Sequence, residues 1–334
     1  MCTSMTLPLS GDRALFGRTL DLDAHFGERP LLTPRRYPLV WLNHGENLPE
    51  HYALLGMAAT AAYPLYAEAM NERGLCMAGL RFSGNARYAD HPTVGKVNLA
   101  PWELIPYLLG KYATVNEVRN ALREICVIDR PYDANTPAAP LHWHIADGHP
   151  DHGELVLEIT SAGMRIYDNP VGVLANNPPF FYQLLRYTET MRLSNRPDPV
   201  TERERKALLG SESNADPTSL GEGGWGLPGD YSSHSRFVRA ATLRRWVADW
   251  MMHTSAGNET EGAAPVNQFF RVMASVSPMA GTVLTPQGMS HRTLYTCCMD
   301  GKSGRYFFAT EEDPALRSVG FSDADAEGKE LVFL

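Results

Sequence analysis

Residues 1–23 read MCTSMTLPLSGDRALFGRTLDLD, and the reading of this stretch decides the fold. "CTSMTLPL" (2–9) is short and half apolar, "SGD" (10–12) signals a turn, and "RALFGRTLD" (13–21) resumes an extended pattern. The pattern predicts a β-hairpin that starts at the second residue. That hairpin lays Arg18 and Asp21, on the returning strand and its exit, alongside Cys2. Methionine is trimmed where residue two is small, and trimming here leaves a thiol and a free α-amine on one residue. Their ordinary pKa values, about 8.5 and 7.7–8.0, both lie near working pH. The amine then serves as base for its own nucleophile. An arginine beside the sulfur favours the thiolate, and a carboxylate beside the amine orients it. Read alone, an Arg and an Asp three apart are as readily a solvated strand face.

Composition narrows the class. The 334-residue chain is 44% hydrophobic and 20% charged, with a net charge of −8. These values describe an ordinary globular protein with ample core. The acidic balance argues against a nucleic-acid or anionic-membrane partner, since either needs a concentrated basic surface. The start lacks a basic region followed by a continuous apolar run, so no secretory signal is expected. No stretch approaches a membrane span, and the cytosol is the expected location. Five cysteines (Cys2, Cys76, Cys126, Cys297, Cys298) include no C-x-x-C pair and are odd in number, which argues against a disulfide framework or a zinc knuckle.

Beyond the hairpin, "YPLVWL" (37–42), "YALLGMAA" (52–59) and "GLCMAGLRF" (74–82) read as strands. "APWELIPYLLGKY" and "TVNEVRNALREI" carry apolar residues at helical spacing, and Thr114 with Glu117 forms a capping-box signature. Strands return in "PLHWHIAD", "GELVLEIT", "GMRIYD" and "VGVLAN", and 178–190 turns helical. Residues 201–230 are polar and glycine-rich and read as a mobile surface loop. "SRFVRAATLRRWVADWMM" is the clearest helix, with Phe237, Ala240, Ala241, Leu243, Val247 and Trp250 on one side. A further helix and the strands "RTLYTCCMD" and "GRYFFATEED" complete an α+β layered chain of one domain, 1–334.

Two motifs compete with the N-terminus. "LHWHIADGHPDHGE" places His142 and His144 on one strand face, followed by His149 and His152 with Asp147 and Asp151. That set reads either as a metal site, which makes the chain a metal-binding or non-catalytic protein, or as surface polar residues on a hairpin. "GEGGWG" satisfies G-x-G-x-x-G at Gly221, Gly223 and Gly226, but it neither follows a strand nor opens a helix, so the dinucleotide reading fails.

"MCTS", "LFGRTLD" (15–21), "NERGLCMAGLRF" (71–82), "LHWHIAD" (141–147), "GVLANNPPF" (172–180), "GLPGDYSSHSRFVR" (226–239) and "EEDPALRS" (311–318) occur in this order. Together they resemble the choloylglycine hydrolase family, bile salt hydrolases and penicillin V acylases with an N-terminal nucleophile. The resemblance implies a four-layer αββα fold, two stacked antiparallel sheets between helical layers. It implies amide hydrolysis with no metal and no cofactor, by a protein that forms homotetramers. By position it makes Cys2 the nucleophile and Arg18 and Asp21 its neighbours. It makes Asn176 the oxyanion asparagine, favoured over Asn177 by the L-x-N-x-P spacing, and Arg236 a second active-site arginine.

Arg81 departs from the family, which carries asparagine or an aromatic residue after "AGL". Only the backbone N–H is needed there as an oxyanion donor, so the chemistry is expected to survive. The Arg81 side chain either pairs with an anionic leaving group or points to solvent at the pocket rim. Leu20, Phe26 and Leu141 are candidates for an apolar acyl pocket. The expected reaction is hydrolysis of a linear amide, first a glycine- or taurine-conjugated bile acid, with penicillin V or an acyl-homoserine lactone as alternatives.

Overall fold

A computed structural model describes residues 1–10, 13–41, 47–149, 152–196, 204, 207, 221–254 and 265–334. Its strands begin with β1 (Cys2–Pro8), β2 (Ala14–Leu22), β3 (Glu28–Thr33), β4 (Leu39–Val40), β5 (Asn47–Leu48) and β6 (Leu54–Ala59). They continue with β7 (Leu65–Asn71), β8 (Cys76–Arg81), β9 (Val97–Leu99), β10 (Ile125–Val127), β11 (Leu141–Ala146) and β12 (Glu154–Thr160). The last six are β13 (Gly163–Asp168), β14 (Val173–Leu174), β15 (Arg292–Asp300), β16 (Arg305–Thr310), β17 (Arg317–Gly320) and β18 (Val332–Phe333).

The expected hairpin is β1 with β2, antiparallel, with Cys2 opposite Leu20 and Ser4 opposite Arg18. Its tip at 11–12 lies outside the described residues. The hairpin sits inside a six-stranded antiparallel sheet ordered β14-β1-β2-β15-β16-β17. Both faces of β1 and β2 are covered, which is why "CTSMTLP" and "ALFGRTLD" are buried along nearly their whole length. Gly17 is required by the close approach of β15: a Cβ there would lie 2.0 Å from the Cys297 carbonyl oxygen. The second sheet has eight strands ordered β13-β12-β11-β8-β7-β6-β3-β18.

Helices close both outer faces. Ser233–Thr254 and Pro265–Ala274 pack on β1 and β15 of the first sheet, and Phe180–Thr190 packs on Ser233–Thr254. Leu104–Lys111 packs on β7 and β8 of the second sheet, with Val115–Ala121 against β12. The layers are therefore αββα. One apolar core joins Met5, Leu7, Phe16, Leu55 and Phe237 through the sheet stack, and another joins Leu31, Met77, Leu104 and Leu108 under the second helical layer.

The capping box is present: Thr114 Oγ1 accepts from Glu117 N at 3.2 Å, and Glu117 Oε2 accepts from Thr114 N at 2.9 Å. Two readings change. "YPLVWL" supplies only the two-residue β4, with Leu42 outside the described residues. Trp250 is half exposed and does not share the face of the buried Phe237 and Ala241, because at 3.6 residues per turn it falls about half a turn round the helix from Ala241. The proposed loop at 201–230 falls mostly outside the described residues; its end contains the short 3-10 turn Glu222–Gly224.

Candidate active site

The hairpin brings Cys2, Arg18 and Leu20 to one end of the space between the sheets, where they line a cavity of about 650 Å³. Arg18 is held from every side. Its Nη1 donates to Gly79 O at 2.6 Å and Ala67 O at 3.3 Å, and its Nε donates to Thr19 O at 3.1 Å. Glu68, fully buried on β7, lies 3.6 Å from Arg18 Nε and accepts from Tyr295 Oη at 2.8 Å and Tyr306 Oη at 2.7 Å. Burial pushes the Glu68 carboxyl up, against the pull of Arg18 and the tyrosines. Burial also works against the Arg18 charge, but the neighbouring Cys2, Tyr295 and Glu68 raise its pKa overall.

Asp21 is fully buried at the exit of β2. Its carboxylate accepts from Thr293 Oγ1 at 2.7 Å and Thr19 Oγ1 at 3.3 Å. Met1 continues the ladder of β1: Asp21 N donates to Met1 O at 2.9 Å, and the Met1 amine donates to Asp21 O. That amine also lies 3.3 Å from His291 Nδ1. Burial lowers the amine's pKa, opposed by Cys2 and Asp21 and assisted by Arg236 and Arg18. Burial at this place therefore favours the neutral, proton-accepting form of the amine.

Asn176 ties the elements together. Its Oδ1 accepts from Cys2 N at 2.6 Å and from Arg236 Nη2 at 2.8 Å, and its Nδ2 donates to Arg81 O at 2.8 Å. These donors and acceptors fix the amide's orientation and leave one Nδ2 proton for another acceptor. Arg236, one turn into Ser233–Thr254, also donates to Cys2 O, Thr3 Oγ1 and Tyr231 O. The helix start is set by Asp230, whose carboxylate accepts from Ser232 N at 2.8 Å and Ser235 Oγ at 2.6 Å. Those bonds hold the Asp230 carboxyl down to about 2.

At Arg81 the backbone direction matters more than the side chain. Phe82 N donates across to Pro140 O in β11's approach, so N–H groups alternate and that of Arg81 faces the other way. It points to the side on which Arg81 O meets Asn176. Leu20, Leu141, Phe26 and the Arg81 side chain all line the 650 Å³ cavity.

Sequence reasoning missed several parts. Gln183 pins the Asn176 loop, accepting from Ala175 N at 3.1 Å and donating to Asn176 O; its only signal was an amide one turn into a predicted helix. Trp102 and Tyr132, 5.2 Å apart edge to face, wall the cavity from segments that read as helix and loop. Glu68 and His291 carried no signal, because their partners are distant in sequence. A slightly larger cleft of about 700 Å³ lies elsewhere, but its lining, which includes Arg35, Arg36, Glu72 and Arg73, holds no cysteine, serine or threonine.

The histidine hairpin is corrected. His142 and His144 are fully buried rather than surface polar. His142 bonds Ala175 O at 2.8 Å and Glu158 Oε1 at 3.3 Å; His144 bonds Ser4 Oγ at 2.9 Å and Glu154 Oε2 at 2.8 Å. His152 pairs with Asp147 at 2.9 Å, while Asp151 lies outside the described residues. Among the described residues, no group of three or more His, Cys, Asp or Glu side chains is placed to hold a metal ion.

Comparison with known proteins agrees with this geometry. The family described as linear amide C–N hydrolases, choloylglycine hydrolase family, matches residues 2–334. The bile salt hydrolase/transferase of Lactiplantibacillus plantarum is 38% identical over 333 residues, covering 99% of this chain and 96% of that protein. The conjugated bile acid hydrolase of Lactobacillus acidophilus is 32% identical over 333 residues, covering 99% of each. The conjugated bile acid hydrolase from Clostridium perfringens, solved as its C2A mutant, superposes with a TM-score of 0.87 at 30% identity, covering 100% of this chain and 96% of that one. Penicillin V acylase from Agrobacterium tumefaciens shares the fold, with a TM-score of 0.72 at 18% identity over 99% of this chain and 90% of that one. With the αββα layers and the hairpin in place, the chain belongs to the choloylglycine hydrolase family and is a hydrolase of linear amide C–N bonds.

Proposed function

We propose that this chain deconjugates glycine- or taurine-linked bile acids, using Cys2 as nucleophile once Met1 is removed. The observation that carries the reading is the 650 Å³ cavity with Cys2 and Arg18 at one end and Leu20, Leu22, Phe26 and Leu141 along its wall. It suits a bulky apolar acyl group, and relatives that match over 99% of this chain carry bile acid hydrolase names.

With Met1 gone, the Cys2 amine takes the thiol proton, directly or through water, and the sulfur attacks the amide carbonyl. The free Nδ2 proton of Asn176 and the N–H of Arg81 hold the oxyanion; loss of one such donor typically costs about 10²–10³ in rate. The C–N bond breaks, the amine product leaves with a proton, and water hydrolyses the thioester with the same α-amine as base. Arg18 stabilises the thiolate, Asp21 orients the amine through the β2 exit, and Arg236 fixes Cys2 and Asn176 together. The Arg81 side chain meets the leaving group. We read residues 1–334 as one domain that acts without a cofactor in the cytosol as a homotetramer. Exposed Phe181, Tyr182 and Leu185 on one helix offer an apolar face for assembly; no helix among the described residues is long and apolar enough to cross a membrane.

Turnover of glycocholate, taurocholate, penicillin V and an acyl-homoserine lactone, side by side, tests the substrate. The reading expects the bile acid conjugates to be cleaved fastest; preference for either alternative overturns it.

A further inference from the structure

Arg18 is buried, and the groups around it are of two kinds. Three backbone carbonyls fix its position: Gly79 O and Ala67 O accept from Nη1 at 2.6 and 3.3 Å, and Thr19 O accepts from Nε at 3.1 Å. Carbonyls hold a guanidinium in place but do not balance its charge. That charge meets two acids, Cys2 at the end of the acyl cavity and Glu68 on β7. Burial opposes the Arg18 charge, and Cys2, Tyr295 and Glu68 favour it.

Glu68 is a fixed counter-ion. It is fully buried, 3.6 Å from Arg18 Nε, and it does not line the acyl cavity. Tyr295 Oη donates to its Oε2 at 2.8 Å and Tyr306 Oη to its Oε1 at 2.7 Å, both from buried rings on β15 and β16. Cys297, also on β15, lies beside it. Arg18 keeps its three carbonyl bonds whatever the state of this carboxylate, so Glu68 is not needed to hold the guanidinium. Its contribution is charge. A cation shared by two acids favours the ionised form of each, and a negative charge on one weakens that help to the other.

We infer that Glu68 is a positioning residue that acts through Arg18, dividing the guanidinium charge between itself and the Cys2 sulfur and so restraining the thiolate. The inference rests on the reading of Cys2 as nucleophile, and adds a residue that no motif marks. The restraint matters because Cys2 borders the cavity, and a standing thiolate is the form that oxidants and alkylating agents attack. The other charged groups around Cys2 are the α-amine freed by loss of Met1, Asp21 and Arg236, and a change at Glu68 leaves all three in place.

The sign of the effect separates charge from bracing. If Glu68 braced Arg18, its removal would loosen the guanidinium and disfavour the thiolate. If it competes for the charge, its removal leaves Cys2 as the remaining counter-ion and favours the thiolate. Iodoacetamide alkylation of the Met1-processed enzyme, followed on the Cys2 peptide by mass spectrometry across about pH 5–9, reads the thiolate without any substrate. Glu68→Gln should move the alkylation curve to lower pH by about one unit, which is about tenfold faster reaction on its rising limb. Glu68→Leu should move it the same way, and decides the matter if the Gln variant does not fold. Glu68→Asp keeps the charge and should return the curve towards wild type. A curve that stays in place or moves to higher pH in the neutral variants overturns the inference, as does an Asp variant shifted as far as they are. Turnover of the conjugates in parallel keeps the two readings apart. Cleavage with an unmoved alkylation curve defeats the role of Glu68 alone, and a shifted curve without cleavage defeats the substrate reading alone.

Discussion

Cys2 and Ser4 stand two residues apart on β1, on one face of the strand, and each heads a buried polar set. Around Ser4 the series is hydroxyl, imidazole and carboxylate: Oγ to His144 Nδ1 at 2.9 Å, and His144 Nε2 to Glu154 at 2.8 Å. That is the order of groups acyl transfer uses on unrelated folds. Around Cys2 the set is Arg18, Asp21, Asn176 and Arg236, and the nearby His291 imidazole faces the Met1 amine rather than forming a hydroxyl–imidazole–carboxylate series. Yet Cys2 borders a 650 Å³ cavity, whereas Ser4 is fully buried, its Oγ lying 3.5 Å from Leu174 O and His144 packed on Phe16. A catalytic constellation needs a place for the reacting atom, and only the cysteine end provides one. The Ser4 set instead fastens the two sheets, running from β1 in one to β11 and β12 in the other.

The largest expected contrast is in rate. Cys2→Ala should reduce amide turnover by more than about 10³-fold, while Ser4→Ala should stay within about threefold of wild type. Steady-state kinetics on both purified variants measures it, and comparable losses would dissolve the distinction between the sites.

Next comes Arg18. Arg18→Leu leaves the buried Glu68 carboxylate without its cation, a change that costs about 3–5 kcal/mol in comparable buried pairs. Urea unfolding should show that loss beside a fall in turnover, and the Arg18→Leu/Glu68→Gln double variant should recover part of the stability but not the rate. A double variant as unstable as the single one contradicts the ion-pair account.

A smaller effect belongs to the sealed cluster. His144→Leu strands Ser4 and Glu154 and should cost about 1–3 kcal/mol in urea unfolding, with little change in the rate per folded molecule. The smallest is a pH effect. Burial raises the Glu154 carboxyl, but the His144 hydrogen bond and charge, Arg244 and Thr6 lower it further. A folded pKa below the unfolded one, about 4.3, stabilises above that pH and is lost as pH falls through the folded value. The melting temperature should therefore drop on acidification below the ordinary carboxylate range, and Glu154→Gln should flatten that drop. An unchanged acid limb in the variant would remove Glu154 from the account.

The hairpin was legible because a half-apolar run, a turn signal and a returning extended pattern all act over a short span. The capping box at Thr114 was legible for the same reason. Asn176 and Arg236 were placed by family resemblance rather than by spacing, since the residues joining them to Cys2 lie far away along the chain. Gln183, Glu68 and His291 left no local pattern: each acts through a partner brought by sheet stacking or a loop. The histidines misled because strand alternation reports a shared face and not whether that face is wet. His142 and His144 do share a face, and it is the one between the sheets.

The central claim is that the working residue is an N-terminal Cys2, and intact-protein mass spectrometry of the active enzyme during turnover tests it most directly. The account predicts a chain lighter by one methionine, with the acyl group of the substrate transiently on Cys2 as a thioester. Full activity from a chain that still carries Met1, or an acyl group mapped to another residue, would contradict it.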